Sequence, residues 1–405
     1  MKPLPIIGFL LVVLATAGRG AGDFLDHVDD ALIFSAWGDK VRGRLSGTVD
    51  LEGYLLQQPA PGLIDTLSDK LFNARLTLFC DAQIGPRIYV FAQMRADRGF
   101  DPTDTAAQVR MDEYAVRFTP WDDGRFSLQF GKFSNIVGNW AERHQSWENP
   151  FISAPLLYEN ITAVEDGSAP SSARDFAAGI LDAKYEYNPV IWGPGYTSGI
   201  SAGGRLGLFD YAVAVTNAAL AMRPDSWDVT QRNFAHPAVQ ARIGVRPNAM
   251  WRLGFSAGRG PYLRDEASPT LPRGRGIGDY REVVFGQDIS YAWHHWQVWA
   301  EFYEARFEVP RVGGADTFAY YVEAKYKFTP QLFGALRWNQ QLFATVRDGT
   351  GGRAQWGHDV WRIDTSLAYR FTAHTQLKLQ YSFEHEDSAP RDLNSLLAVQ
   401  FTVRF

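Results

Sequence analysis

The sequence is short of most devices that hold or place a chain of its size. One cysteine, Cys80, occurs in 405 residues, so no intrachain disulfide can form. Beyond residue 17, no stretch reaches the roughly 18 to 20 uninterrupted apolar residues that a membrane helix needs. A basic excess is missing too. The formal net charge is −5, whereas nucleic-acid binding usually shows as a basic surface. The chain also has no polar tail: it ends LLAVQFTVRF, a strict alternation that closes on Phe405. What is abundant is aromatic residues, 14% of the chain, and glycine, 37 residues. The mean hydropathy is nevertheless slightly negative, at −0.23. That pairing suits a barrel with an apolar outer face and a polar inner one.

Lys2, the apolar run Leu4 to Ala17 and the closing triplet Ala15-Thr16-Ala17 predict a secretory signal peptide over 1–17. Residues 18–40 form a separate N-terminal segment. In Asp23 to Gly38, Leu25, Val28, Leu32, Ile33 and Trp37 share one face at helical spacing, which predicts a short helix before the barrel with Asp23 as its cap. Its place, below the barrel or inside it, stays open.

From Val41 the period becomes two and holds in pieces to Phe405. Arg42, Arg44, Ser46, Thr48, Asp50 and Glu52 alternate with Val41, Leu45, Val49 and Leu51; Gln376, Lys378, Gln380, Ser382 and Glu384 alternate with Leu377, Leu379, Tyr381 and Phe383. Soluble sandwiches alternate as well. The connections discriminate, because they too alternate. Tight joints fall at Gly85-Pro86, Trp121 to Gly124, Gly207-Leu208, Pro247-Asn248, His294-His295, Pro330 and Ala373-His374, and longer segments lie at about 57–69, 99–108, 135–195, 219–236, 263–279, 310–316, 347–358 and 387–394. Seven short turns and eight long loops join about sixteen strands, an even number with long loops at one end, as in bacterial outer-membrane barrels. Trp251, Trp293, Tyr326, Phe328, Tyr369, Phe371 and Phe405 sit on the apolar face beside the short turns, at the height of a membrane interface. The predicted fold class is all-β: a transmembrane antiparallel β-barrel over 41–405, in the outer membrane of a bacterial cell.

The export signal, the alternating strands and the terminal strand with Leu397, Val399, Phe401, Val403 and Phe405 resemble the outer-membrane porin superfamily. Gly131 to Gly138 (GKFSNIVG) is similar to a strand-to-loop passage of phosphate-selective porins. The resemblance implies a homotrimer in outer-membrane lipid. It also implies that the strand ending in Phe405 addresses the barrel-assembly machinery, and that the third external loop folds into the lumen to narrow it.

Here that loop carries Asn139 to Pro150 (NWAERHQSWENP). As a constriction, Glu142, Arg143, His144 and Glu148 set its field and Trp140 and Trp147 its width; as an external cap, its tryptophans pack on the barrel rim instead. Extending the alternation places Arg42, Arg44, Arg75, Arg95, Arg117, Arg125, Arg242, Arg252, Arg337, Arg362 and Arg370 in the lumen. Glu52, Asp81, Asp97, Glu113, Glu282, Asp288, Glu323 and Asp364 share it. Such a mixture produces either a transverse field or a set of ion pairs that hold the wall; the arginine excess leans toward anions.

Enzyme motifs fit poorly. Gly199 to Gly203 (GISAG) matches G-x-S-x-G, but that elbow needs a strand, a sharp turn and a helix, and here it runs on within a strand. His294-His295 reads as a turn, since adjacent strand residues face opposite ways, and Gly274 to Gly278 (GRGIG) has no following helix. No enzyme activity, cofactor, metal or nucleic-acid partner is expected. The expected function is passive diffusion of small hydrophilic solutes. The alternatives are a closed structural or adhesive barrel and, behind it, a membrane-embedded hydrolase acting through Ser201.

Overall fold

A computed structural model describes residues 20–98, 107–179, 186–387 and 393–405; the expected signal peptide, 1–17, lies outside them. Sixteen antiparallel strands close on themselves. They are β1 (Val41–Leu56), β2 (Lys70–Ile84), β3 (Ile88–Asp97), β4 (Gln108–Phe118), β5 (Ser127–Phe133), β6 (Thr197–Leu206), β7 (Phe209–Thr216) and β8 (Ala238–Val245), followed by β9 (Trp251–Pro261), β10 (Arg281–Trp293), β11 (Trp296–Val309), β12 (Gly313–Lys327), β13 (Leu332–Phe343), β14 (Val360–Arg370), β15 (Thr375–Glu386) and β16 (Leu393–Arg404). Each pairs with its neighbour, and β16 returns to β1 from Leu396↔Leu56 to Arg404↔Thr48. Phe405 and Gly47 then exchange backbone hydrogen bonds of 2.7 and 3.0 Å. Closure leaves no open edge, which hydrocarbon could not satisfy.

The period of two sorts the side chains. Phe72, Phe255, Phe285, Leu336 and Leu379 face outward and exposed, while their strand neighbours Asn73, Ser256, Asp288, Arg337 and Lys378 face inward. Cys80 lies on the outward face opposite Leu45. The expected aromatics gather at the short-turn end, where Trp251 and Tyr291 lie 4.4 Å apart and Tyr326 touches both Trp296 and Phe328. None of the described helices is long and apolar enough to cross a membrane; strands do the crossing.

All seven tight joints form. Gly207 opens a two-residue turn at φ 61°, and His294 opens another at φ 51° with His295 Nδ1 donating to the Lys327 carbonyl, 2.9 Å away. The His pair is therefore a hairpin turn. Two expectations need correction. The segment 310–316 is a short turn over 310–312, because Arg311 and Gly313 adopt positive φ and the strand resumes at once. The predicted helix over 23–38 is α1 (Gly20–Ala31); Trp37, Gly38 and Asp39 all turn left-handed, and Ile33–Ala36 folds back on Val41 to Arg44 as a short strand. That strand covers the stretch of β1 that β16 is too short to reach.

α1 sits at the short-turn mouth. Its Asp29 pairs with Arg44 at 2.9 Å, and its Asp26 meets His374 at 2.7 Å. At the other end the long loops build an apolar core inside the barrel. Leu157, Tyr158, Trp192, Tyr196, Met222, Trp227, Leu263 and Trp356 pack on inward-facing Tyr303, Phe307, Tyr321 and Phe343. This core occupies the long-loop end of the lumen along β8 to β13.

Candidate functional site

The third loop, 134–196, enters the barrel rather than capping it. Its path is fixed by wall side chains that turn inward because of strand parity. Backbone N–H groups of Asn139 and Trp140 donate to Glu301 Oε1 at 2.5 and 2.7 Å, and Tyr158 donates to Glu301 Oε2 at 2.5 Å. Farther round the wall, Arg337 donates to the Ser153 and Ala154 carbonyls, Arg362 to Glu159 and Ala154, and Ser366 to Pro150. Lys378, fully buried, donates through Nζ to the carbonyls of Ser146, Asn149 and Phe151 at 2.6, 3.0 and 3.3 Å. A loop of this length is held only because charged wall groups satisfy backbone that would otherwise be stranded.

The loop tip then crosses the lumen. Gln145 Nε2 donates to Gln93 on β3 at 3.1 Å. His144 lies between Ala141, whose carbonyl is 2.6 Å from Nδ1, and Tyr196, whose hydroxyl is 2.6 Å from Nε2. The network thus places the proton on Nδ1 and leaves Nε2 to accept. Burial, with Arg95 and Arg75 nearby, pushes the imidazole pKa down from 6.5 to about 4, so His144 is neutral at pH 7.

Two cavities flank this crossing. On the long-loop side one of about 230 Å³ is bounded by Tyr54, Arg75, Arg95, Arg98, Trp140, His144 and Glu159. On the short-turn side one of about 580 Å³ is bounded by Tyr89, Arg117, Gln129, Glu142, Arg242 and Arg252. Beside the outer cavity, a space of only about 30 Å³ lies between loop residues His144, Gln145, Ser146 and Asn149 and wall residues Asp50, Arg75, Arg95 and Gln400. That is room for about one or two waters.

The expected loop residues separate by role. Trp140 and His144 face the outer cavity and Glu142 the inner one. Glu142 takes a bidentate pair from Arg252 at 2.5 and 2.8 Å. Arg143 turns into the wall instead, donating to Glu323 at 2.6 Å and to Tyr321 at 3.0 Å above the Trp299 ring. Trp147 is buried between the guanidinium groups of Arg404 and Arg370, 4.1 and 4.8 Å from its ring, while Glu148 is exposed.

The expected wall residues take their predicted faces with one correction. Arg125 belongs to the turn before β5, half exposed, paired with Asp123 at 3.4 Å and stacked on Trp121; it does not line the lumen, because the strand whose alternation was extended begins only at Ser127. Arg42 and Arg44 stand at the mouth, and Arg117 donates twice to Gln129. Glu113 accepts from the Ser134 N–H at 2.8 Å. Most of the others are tied together. Arg242 binds Asp288 bidentately and Asp210 as well. Arg337 links Glu323 and Asp364, and Arg362 links Asp364, Glu159 and Glu384. On β1 to β4, Arg75 binds Asp50 and Glu52, and Arg95 and Arg110 share Asp97 and Asp112. The arginine excess is thereby largely neutralised within the wall.

Arg110 and Asp112 escaped the sequence reading because β4 slips register against β3 between Gln93 and Met94. A bulge makes Asp112 and Glu113 both face inward, and alternation counted from Arg117 puts Asp112 outside. Glu301, Tyr303 and Lys378 were readable as the inward members of their alternations. Tyr158, Glu159 and Tyr196 carry no periodic signal at all. Ser201 lies mid-strand, paired with Gln129 and Ala214.

No family model matches the chain, and no curated protein matches it. Solved structures do. OmpT of Vibrio cholerae aligns with TM-score 0.56 at 10% identity over 92% of this chain and 100% of its own. An anion-selective porin from Comamonas acidovorans aligns at 0.55 and 10% identity over 90% and 100%. The outer membrane channel DcaP of Acinetobacter baumannii aligns at 0.56 and 12% identity over 92% and 99%. With its closed sixteen-strand barrel, outward apolar belt and inward third loop, the chain has the fold of the bacterial outer-membrane porins, a fold built to lie in that membrane.

Proposed function

We propose that the protein is a passive diffusion channel for small hydrophilic solutes, with a lean toward anions, and that it acts by transport rather than catalysis. The observation that carries this reading is the pair of cavities on either side of the His144–Gln145 crossing, each edged by arginines. Solute size would be set at the narrow space beside Arg75 and Arg95, and its charge by what that space presents. The lean toward anions rests on exposure. In the ion pairs of β1 to β4 the arginine is the accessible partner, Arg75 at 17% against 1% for Asp50, and Arg110 at 20% against 4% for Asp97. Neutral His144 adds no charge of its own at pH 7. A homotrimer, and assembly through the strand ending in Phe405, belong to the same proposal.

One observation favours the rival, a closed structural barrel. The space beside the outer cavity has room for only about one or two waters, and an apolar core occupies the long-loop end along β8 to β13. Planar-bilayer recording separates the two. The channel reading expects current on insertion and, in a salt gradient, a reversal potential of the anion-selective sign. Insertion without current contradicts the channel, and a cation-selective sign contradicts the lean.

A further inference from the structure

The outer cavity breaks the rule that a water-filled lumen is lined by polar groups. On the two closing strands, Leu56 and Leu396 are cross-strand partners, and both face inward; Ala398 and Tyr54 form the next pair. Leu56, Leu396 and Ala398 are each at most 4% exposed and pack with Ile64 from the first loop and Ile152 from the third. Three elements, β1–β16 and two loops, thus converge on one apolar patch at the cavity wall. Ion passage does not require it. An apolar surface held against a solute path lowers the free energy of solutes that have apolar surface of their own.

The charge beside the patch selects further. Arg98, on the same cavity, spends Nη2 on the Asp65 carbonyl at 3.0 Å and has no carboxylate within ion-pair range among the described residues. Among the described residues, the rest of its fork meets no carboxylate, the partner that guanidinium geometry fits best. Around Arg362, on the side of the third loop and β15, the accessible charges are acidic: Glu159 and Glu384, at 13% and 12%, shield Arg362 at 3%. A second carboxylate on the solute would meet them and be repelled.

We propose that the outer cavity is a binding subsite for organic monocarboxylates with a small apolar body, the carboxylate on Arg98 and the body against Tyr54, Ile64 and Leu396. This rests on the channel reading for its purpose but not for its test. The test uses the full-length protein in detergent and titrates benzoate, acetate, benzylamine and phthalate by saturation-transfer NMR. Benzoate should bind about tenfold more tightly than acetate, the scale on which an apolar body is discriminated, and more tightly than benzylamine or phthalate. Ile64→Ser and Arg98→Gln lie outside the strands and leave barrel closure alone; each should weaken benzoate at least about fivefold, a typical loss for a removed apolar or charged contact. Leu396→Ser repeats the first test from the strand side. Equal affinity for acetate and benzoate, preference for benzylamine, or unchanged benzoate binding in Ile64→Ser and Arg98→Gln overturns the proposal. Current carried by the wild type in potassium chloride alone reports on the channel separately: benzoate binding without current would retain the subsite and remove the channel.

Discussion

Lys378 is a buried amine with no carboxylate in ion-pair range among the described residues, and three loop carbonyls accept from it instead. Each would be stranded by Lys378→Met. Leaving buried acceptors unsatisfied costs about 1 to 3 kcal/mol. We expect this variant to lower the temperature at which the folded band converts to the unfolded one on gels, and to make channel current noisier, since the loop tip loses its tie to β15. His144 gives a pH signature. Its folded pKa is lowered to about 4 from 6.5, so the folded state takes up fewer protons than the unfolded chain between those values. Stability tied to His144 is whole above pH 6.5 and declines as pH falls toward 4. Below pH 4 the ring charges, gives up its acceptor role toward Tyr196 and faces Arg75 and Arg95. Conductance and selectivity should therefore change with a midpoint near pH 4, and His144→Asn should remove that midpoint; a profile identical in the two proteins would refute the assignment.

At the scale of elements, closure is a matter of one close approach. A Cβ on Gly47 would lie 2.8 Å from both the Phe405 ring and the Thr77 carbonyl. Gly47→Val should therefore part the end of β16 from β1 and reduce the yield of heat-modifiable barrel, while Gly53→Ala, whose Cβ would meet only Val399 at 3.3 Å, should reduce it less. The strands were legible because lipid outside and polar groups inside impose a period of two, and turns such as Gly207-Leu208 and His294-His295 punctuate it. Legibility failed where periodicity did. The bulge at Asp112 and Glu113 moved Arg110 and Asp112 to the lumen, Arg125 belonged to a turn, and Ile33–Ala36 left the expected helix for an unpaired strand edge. Arg143 was placed in the right loop, but its direction came from Glu323 and Tyr321, 178 and more residues away, a distance no local pattern encodes.

For the whole molecule, the division of the lumen matters most. Loops that carry no period supply the apolar core at the long-loop end along β8 to β13, where alternation alone announced a polar interior. The third loop then crosses between two cavities, with His144 on the outer one and Glu142 on the inner one. If this crossing governs flow, it does so through few atoms: one hydrogen bond from the Gln145 amide to Gln93 and the His144 ring beside it. Single-channel recording of the wild type and of His144→Gly/Gln145→Gly in planar bilayers tests this most directly. A small wild-type conductance that rises severalfold in the double variant is the predicted result; insertion of both proteins with equal conductance, or with none, would contradict a channel set by its third loop.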